Sequence, residues 1–255
     1  QPSDLHVHMN LVPRTPRNCG TQVVVGGTSG IGLATARRLH TLGATVHIVG
    51  RSKERLDNVA ATDPALTGHR ADGGNRDEVT AVIETIGQID WLILTLSSSE
   101  GPGPIADLDL DVLRRAFDAK FWGHVTTIQA ALPYLAPTGS ITLLGAITAR
   151  AGIPGTAGIA AINGAVEALV KPLAVELSPI RVNGVSPGGV DTPWWSGMPD
   201  EARKAYFAQT AQVLPTRRIA TADDIAEAVV LAATNTNITG TVIETDGGAR
   251  LVSMG

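Results

Sequence analysis

A glycine-rich stretch, GGTSGIG, follows a short run of valines early in the chain. Its glycines stand at positions 26, 27, 30 and 32, immediately before a segment with the apolar spacing of a helix. Glycine permits a tight turn and lets a pyrophosphate approach the helix N-terminus, where free N–H groups and the helix dipole favour anions. Such a stretch can also be no more than a tight turn, but the strand–turn–helix context predicts a dinucleotide site.

A second candidate contact lies at the end of the next predicted strand, which reads IVGRS. A dinucleotide fold that prefers NAD usually places an acid here, which binds the ribose 2′-hydroxyl. Gly50 has no side chain that could repel a phosphate, and Arg51 can pair with one through its planar guanidinium. The alternative is that Arg51 is a solvated loop residue. These residues favour NADP(H) over NAD(H) as the cofactor.

The elements that must position these groups are short apolar runs that alternate with helical patterns. Predicted strands cover residues 22–26, 45–50, 91–96, 140–146, 180–186 and 241–248. Predicted helices cover residues 31–43, 75–87, 110–135 and 221–234, and one more lies between the strands at 140–146 and 180–186. This alternation implies a parallel sheet covered on both faces, and therefore a doubly wound, Rossmann-type α/β fold.

Residues 21–255 show no second domain or internal repeat, so we expect a single dinucleotide-binding domain. Residues 1–20 hold three prolines and no periodicity, and we expect a disordered arm there. His6 and His8 in this arm are weak candidates for metal ligands, and we expect no metal site.

Several stretches together resemble the short-chain dehydrogenase/reductase family. The glycine motif matches at Gly26, Gly30 and Gly32, with Val25 at the family's threonine position. The stretches RAD, QAALPYL, AVELSPIRVNGVSPGGVDTP and ITGTVIETDGG agree as well, so the resemblance covers about residues 22–252. It implies an NADP(H)-binding oxidoreductase. The implied cofactor contacts are Gly26, Thr28, Ser29, Gly30, Ile31, Gly32, Arg51, Ser52, Asp72 (adenine), Pro187, Gly188, and Val190 and Thr192 (nicotinamide carboxamide).

The resemblance also locates the four positions at which the family carries its catalytic residues. The family's asparagine aligns with Lys120, its serine with Ala146, its tyrosine with Ile159 and its lysine with Asn163. In the family, the tyrosine gives a proton to the substrate oxygen, and the lysine lowers the pKa of that tyrosine. Ile159 and Ala146 can neither titrate nor donate. The resemblance therefore implies a divergent member without the family's standard mechanism.

The lysine and the asparagine have exchanged positions in this chain, so the positive charge is moved rather than deleted. Lys120 could contact the nicotinamide ribose or polarise a bound oxygen, with Asn163 as its neutral hydrogen-bond partner. The alternative is that Lys120 is a charge on a helix surface. The one acid of the segment TAGIAAINGAVEAL, Glu167, falls outside the aligned positions.

Other residues are weaker candidates for substrate contacts. Ser97 and the two serines after it follow a predicted strand at the sheet edge where such folds bind ligands, and Thr148 follows the next strand. They could instead satisfy loop backbone groups. Trp194 and Trp195 lie in a segment, about residues 189–214, that resembles the family's substrate lid. They could contact an apolar or aromatic substrate, or pack the lid or a subunit interface.

Composition narrows the possible partners. The formal net charge of −4 gives no electrostatic reason to expect nucleic acid or anionic lipid. No apolar run approaches the roughly 20 residues that span a bilayer, and the pattern of a signal peptide is not seen. The one cysteine, Cys19, excludes an internal disulfide, and we expect a cytoplasmic protein. The resemblance implies a homodimer or homotetramer.

Two functions follow from these observations. The first is an NADP(H)-dependent oxidoreductase that acts on an unidentified small molecule with a non-standard proton source, either Lys120 or water. The second is a catalytically inactive NADP(H)-binding sensor or assembly partner. A cofactor-independent lyase or isomerase has no support beyond the fold.

Overall fold

The structure is a computed structural model that describes residues 20–252. The disordered arm expected at residues 1–20, with its two histidines, lies outside these residues except for Gly20. The main sheet contains β1 Thr21–Val25, β2 Thr45–Gly50, β3 Thr67–Arg70, β4 Ile89–Leu94, β5 Leu135–Leu144, β6 Arg181–Pro187 and β9 Val242–Thr245, and a small second sheet contains β7 Val190–Asp191 and β8 Ala220–Thr221. The α-helices are α1 Gly30–Thr41, α2 Lys53–Thr62, α3 Arg76–Ile86, α4 Leu110–Phe117, α5 Gly123–Ala131, α6 Ala157–Ala168, α7 Val170–Glu176, α8 Asp200–Val213 and α9 Ala222–Thr234.

The main sheet is parallel and has the strand order β3-β2-β1-β4-β5-β6-β9. The chain runs outward from β1 to β3 and then crosses back to β4. This reversal creates a crevice at the carboxyl ends of β1 and β4, where doubly wound folds bind ligands. The predicted Rossmann-type α/β fold is confirmed.

Strand β1 shows how the sequence builds a core on both faces of the sheet. Val24 belongs to a buried cluster with residues of α1 and α9. Val23 and Val25 point to the opposite face and belong to a cluster with residues of α3, α5, α6 and α7. Because side chains alternate along a strand, a run of three valines is apolar on both faces and is typical of a fully covered sheet.

The helix predicted at residues 110–135 is one unbroken helical run, but it is not a regular α-helix throughout. It consists of α4, a π-helical turn at Asp118–Trp122, α5 and a short 3-10 turn at Leu132–Tyr134. A π-helical turn inserts an extra residue into the helix, so it changes which side chains point toward the sheet. Helices α2 and α8, strand β3 and the small sheet were not predicted from the sequence.

One helical segment in the described part of the chain is long and apolar enough, by length and composition alone, to cross a membrane. It is Ala157–Glu176, 20 residues with a mean hydropathy of 1.4. The sequence-based statement that no apolar run approaches this length is therefore wrong. The segment is α6 and α7 joined at Leu169, and its Val166 and Val170 are buried against the sheet. Core helices of globular proteins that are mostly buried meet the same criterion, whereas 28% of the most apolar window of this segment is buried.

Candidate active site

A cleft of about 960 Å³ lies at the carboxyl edge of the main sheet. It is lined by the residues that follow β1, β4, β5 and β6, by the start of α1, by one face of α6 and by the segment after β7. Among residues 20–252, no group of three or more His, Cys, Asp and Glu side chains is arranged to hold a metal ion.

The N-terminus of α1 opens into this cleft. Ser29, Gly30, Ile31 and Gly32 line it, and no side chain in the described residues caps the helix start at Ser29. A Cβ atom added to Gly32 would collide with the carbonyl oxygen of Gly26, so the turn can close only with glycine there. Free N–H groups at an uncapped helix start suit a pyrophosphate. The residues present fit a dinucleotide at this place.

Two arginines line the cleft beside the carboxyl end of β2. Arg51 was predicted, whereas Arg55 was missed because the sequence analysis did not predict α2. No ion pair involving either is present among the described residues. Ser52 caps α2 by accepting a hydrogen bond from the Arg55 backbone N–H (3.2 Å). The capped start of α2 therefore fixes the backbone positions from which the side chains of Arg51 and Arg55 extend.

The remaining predicted cofactor contacts divide into two groups. Pro187, Gly188, Val190 and Thr192 line the cleft at and after the end of β6, and the side chain of Thr192 lies close to Gly30. Thr28 and Asp72 are not among the lining residues. The methyl group of Thr28 lies against Gly50, and the carboxylate of Asp72 accepts a hydrogen bond from the Gly74 backbone N–H (3.0 Å).

Lys120 lies on the π-helical turn with its side chain buried, only 7% exposed, and it lines the cleft. The alternative that it is a surface charge is wrong. Its ammonium donates hydrogen bonds to Asn163 Oδ1 (2.6 Å) and to the Gly145 carbonyl oxygen (3.3 Å). Asn163 Nδ2 donates in turn to Thr148 Oγ1 (2.9 Å). Three of the predicted site residues thus form one polar chain, which we call the Lys120–Asn163–Thr148 chain.

Burial alters the titration of two groups on this helix. It lowers the pKa of Lys120 from 10.5 to about 8, and the negative charge of Glu167 opposes this change. His124, one turn further on, is fully buried, and its Nδ1 donates to the Lys120 carbonyl oxygen (2.7 Å). Burial and then the charge of Lys120 lower the pKa of His124 to about 4. Near neutral pH, Lys120 is therefore charged and His124 is neutral.

Ala146 and Ile159 line the cleft beside the Lys120–Asn163–Thr148 chain. Ile159 also lies against Gly101, so it forms part of an apolar wall. A tyrosine from another element, Tyr206 on α8, lines the cleft and was missed by the sequence analysis. Its ring lies against Trp195, with ring centroids 5.2 Å apart.

The segment at about residues 189–214, which is expected to form a substrate lid, carries a cluster of aromatic side chains. Trp194 and Trp195 pack edge-to-face with ring centroids 4.7 Å apart, and the ring centroids of Trp195 and Phe207 are 5.4 Å apart. Trp194 Nε1 donates to the Ser98 carbonyl oxygen (2.9 Å), and Trp195 Nε1 donates to the Val190 carbonyl oxygen (2.9 Å). The two tryptophans therefore pack against neighbouring residues and also line the cleft. Ser97 also lines the cleft.

Comparison with known proteins identifies the family. Residues 25–250 match the model of a family described as enoyl-(acyl carrier protein) reductase. The short-chain dehydrogenase/reductase malC of Malbranchea aurantiaca is 29% identical over 247 residues, covering 90% of this chain and 94% of malC. The chain belongs to the short-chain dehydrogenase/reductase family.

Other members of this family are similar over nearly their whole length. The cis-4-hydroxycyclohexanecarboxylate dehydrogenase of Sinomonas cyclohexanicum is 32% identical over 243 residues, covering 89% of this chain and 94% of that enzyme. A crystal structure of a small-chain dehydrogenase in complex with NADPH is 37% identical, with a TM-score of 0.78, and covers 92% of this chain and 100% of that one. The chain is thus an oxidoreductase-family protein, and its similarity to the NADPH complex supports a nicotinamide cofactor.

Proposed function

We propose that this chain is a divergent short-chain dehydrogenase/reductase that uses NADP(H) and employs Lys120 in place of the family's tyrosine. The observation that carries this proposal is the Lys120–Asn163–Thr148 chain, which brings a buried ammonium to the cleft. Ala146 and Ile159 stand where the resemblance places the family's serine and tyrosine. Neither can hold or move a proton.

The polar chain suits the proton requirement of carbonyl reduction. Bound NADPH would supply the hydride. Lys120 is protonated below a pH of about 8, so it can donate a hydrogen bond or a proton to a substrate oxygen. The side-chain oxygen of Asn163 accepts a hydrogen bond from the Lys120 ammonium and so holds the ammonium in place. The side-chain N–H group of Asn163 donates a hydrogen bond to the hydroxyl oxygen of Thr148. The hydroxyl hydrogen of Thr148 is then available to a substrate oxygen.

The preference for NADP(H) is supported by the two arginines beside β2. A 2′-phosphate at the ribose would lie next to Arg51, and Arg55 adds a second positive charge on the same side of the cleft. Charged hydrogen bonds of this kind contribute about 1.5–3 kcal/mol. No acid follows Gly50 to bind a free 2′-hydroxyl.

The substrate end of the cleft favours a compound with an apolar body. Its walls include Ile153, Ile159, Ile162, Trp194 and Trp195. Apolar and aromatic walls with a few polar groups are typical of sites for small apolar molecules. A ring compound suits these walls, and the relative from Sinomonas is named for a hydroxylated cyclohexane ring that carries a carboxylate. An iminium or a quinone-like acceptor, which needs little help from an acid, would also suit this site.

The test compares wild type with Lys120→Met. NADPH oxidation is followed by nicotinamide absorbance against a panel of cyclic ketones, imines and quinones. Wild type should oxidise NADPH with at least one acceptor, and more slowly as the pH rises through about 8, where Lys120 loses its proton. Lys120→Met should lower the rate about 100-fold or more and remove this pH dependence.

The matched control is Lys171→Met, at an exposed lysine of α7, which should keep the wild-type rate. Equal rates in wild type and Lys120→Met would contradict the role of Lys120. If NADPH binds and no acceptor oxidises it, the chain is instead the non-catalytic NADP(H)-binding protein that the sequence also allows.

A further inference from the structure

Glu167 on α6 has a buried carboxylate that lies behind the Lys120–Asn163–Thr148 chain. Its side chain is only 8% exposed. Oε2 accepts a hydrogen bond from Arg150 Nη2 (2.7 Å), whereas Oε1 is buried and has no hydrogen-bond partner among the described residues. Oε1 lies against Gly145, where a Cβ atom would collide with it. Gly145 is also the residue whose carbonyl oxygen accepts a hydrogen bond from Lys120.

A buried, unpaired carboxylate oxygen is unfavourable unless a positive charge compensates it. The buried charge on the other side of Gly145 is the Lys120 ammonium, which is itself desolvated. We infer that Glu167 is a positioning residue that keeps the Lys120 side chain protonated in the cleft. This inference rests on the proposed function, because it explains how a buried lysine stays charged enough to serve as a proton donor.

Arg150 limits how strongly Glu167 acts. The guanidinium of Arg150 bridges Glu167 and Glu244 of β9, and Glu244 also pairs with Arg250 (2.5 Å). This network fixes the Glu167 carboxylate against the end of β5 and neutralises part of its charge. The ammonium of Lys120 is therefore stabilised by the nearer carboxylate of Glu167, and the more distant guanidinium of Arg150 cancels part of this stabilisation.

The titratable groups around Lys120 come from few elements. In the part of the chain that the structure describes, they are Glu167 on α6, Arg150 behind it after β5, and His124 on the same helix as Lys120. His124 is neutral near pH 7 because burial lowers its pKa to about 4. Replacement of Glu167 should therefore change the titration of Lys120 more than any other single neutralisation.

The test uses NMR of isotope-labelled lysine and needs neither substrate nor cofactor. The chain has four lysines, at positions 53, 120, 171 and 204, so Lys120→Met identifies its signal by loss. The Lys120 side chain should titrate with a midpoint at about pH 8 in wild type. Glu167→Gln should lower this midpoint by about one pH unit, because it removes the nearby negative charge and keeps the side-chain shape.

Two further variants sharpen the result. Arg150→Gln should raise the Lys120 midpoint, because the carboxylate of Glu167 is then less compensated. Glu176→Gln, the same change at an exposed position of α7, should leave it unchanged. If Glu167→Gln does not fold, Arg150→Gln provides the test by itself.

An unchanged Lys120 midpoint in Glu167→Gln, or in Arg150→Gln where only that variant folds, would overturn the role of Glu167. That result leaves the proposed function intact if Lys120→Met still abolishes turnover. Conversely, a shifted midpoint together with full turnover in Lys120→Met would support the electrostatic coupling and reject the proposed function.

Discussion

At the scale of single residues, the surroundings of a side chain decide its chemistry more than its type does. The sequence places Lys120 and Asn163 43 positions apart, and the structure brings them to 2.6 Å. The family resemblance predicted that they meet. The burial of Lys120 and the chain that continues to Thr148 depend on the packing of α6 against the π-helical turn, which one sequence does not reveal.

His124 provides a prediction that is independent of substrate. Its pKa is 6.5 in the unfolded chain and about 4 in the folded one, so between these values the unfolded state binds more protons. Stability is therefore present above pH 6.5 and is lost as the pH falls toward 4, by about 3 kcal/mol from this residue. In urea denaturation, the free energy of unfolding of His124→Gln should therefore depend less steeply on pH between 6.5 and 4 than that of wild type.

The control for this prediction is His40→Gln, at an exposed position of α1. It should lose stability toward acid as steeply as wild type does. Equal slopes for His124→Gln and wild type would mean that His124 does not stay neutral when buried.

At the scale of elements, helix ends and interruptions position the site. The pattern at residues 110–135 predicted one long helix, because its apolar spacing continues across the π-helical turn. The extra residue of that turn is a tertiary adjustment that leaves no mark in the periodicity. The start of α1 was predictable, because the spacing of the glycines just before it is typical of a turn that leads into a helix. Helix α2 was missed, and with it Arg55.

The junction between β2 and α2 carries the prediction on cofactor preference. Arg51→Ser should weaken NADPH binding about tenfold or more, through loss of a charged hydrogen bond, and leave NADH binding nearly unchanged. Titration of nicotinamide fluorescence measures both affinities. Arg115→Ser is the matched control, since Arg115 lines the cleft but pairs with Glu100 (3.2 Å). An equal loss for NADH and NADPH would rule out recognition of the 2′-phosphate.

At the scale of the whole molecule, the doubly wound parallel sheet followed from the sequence, because alternating strands and helices predict this class of fold. The strand order β3-β2-β1-β4-β5-β6-β9 is known only from the structure, since β3 was not predicted. The resemblance predicted a lid at about residues 189–214, and this stays a prediction. The aromatic contacts of this segment and the presence of Tyr206 in the cleft were not predicted. Such contacts join residues of different elements, and no local pattern encodes them.

The homodimer or homotetramer that the resemblance implies stays a prediction, and exposed apolar side chains offer a surface on which to test it. Leu110, Trp122 and Val175 are more than half exposed, and Leu110 and Trp122 line one groove along α4. Burial of such side chains against a second copy would be favourable by about 25 cal/mol per Å² of apolar surface. Light scattering should therefore give a dimer or larger species for wild type.

Trp122→Glu should shift this equilibrium toward the monomer, whereas Leu231→Glu, an exposed change on α9, should leave at least a dimer. A monomeric wild type would contradict the assembly.

The most direct measurement is a crystal structure of the chain with NADPH. The account predicts that the pyrophosphate lies at the N-terminus of α1, that the 2′-phosphate contacts Arg51, and that Lys120 and Asn163 face the nicotinamide C4. A cleft filled by side chains, or Tyr206 turned into the place beside the nicotinamide where Ile159 now lies, would contradict it.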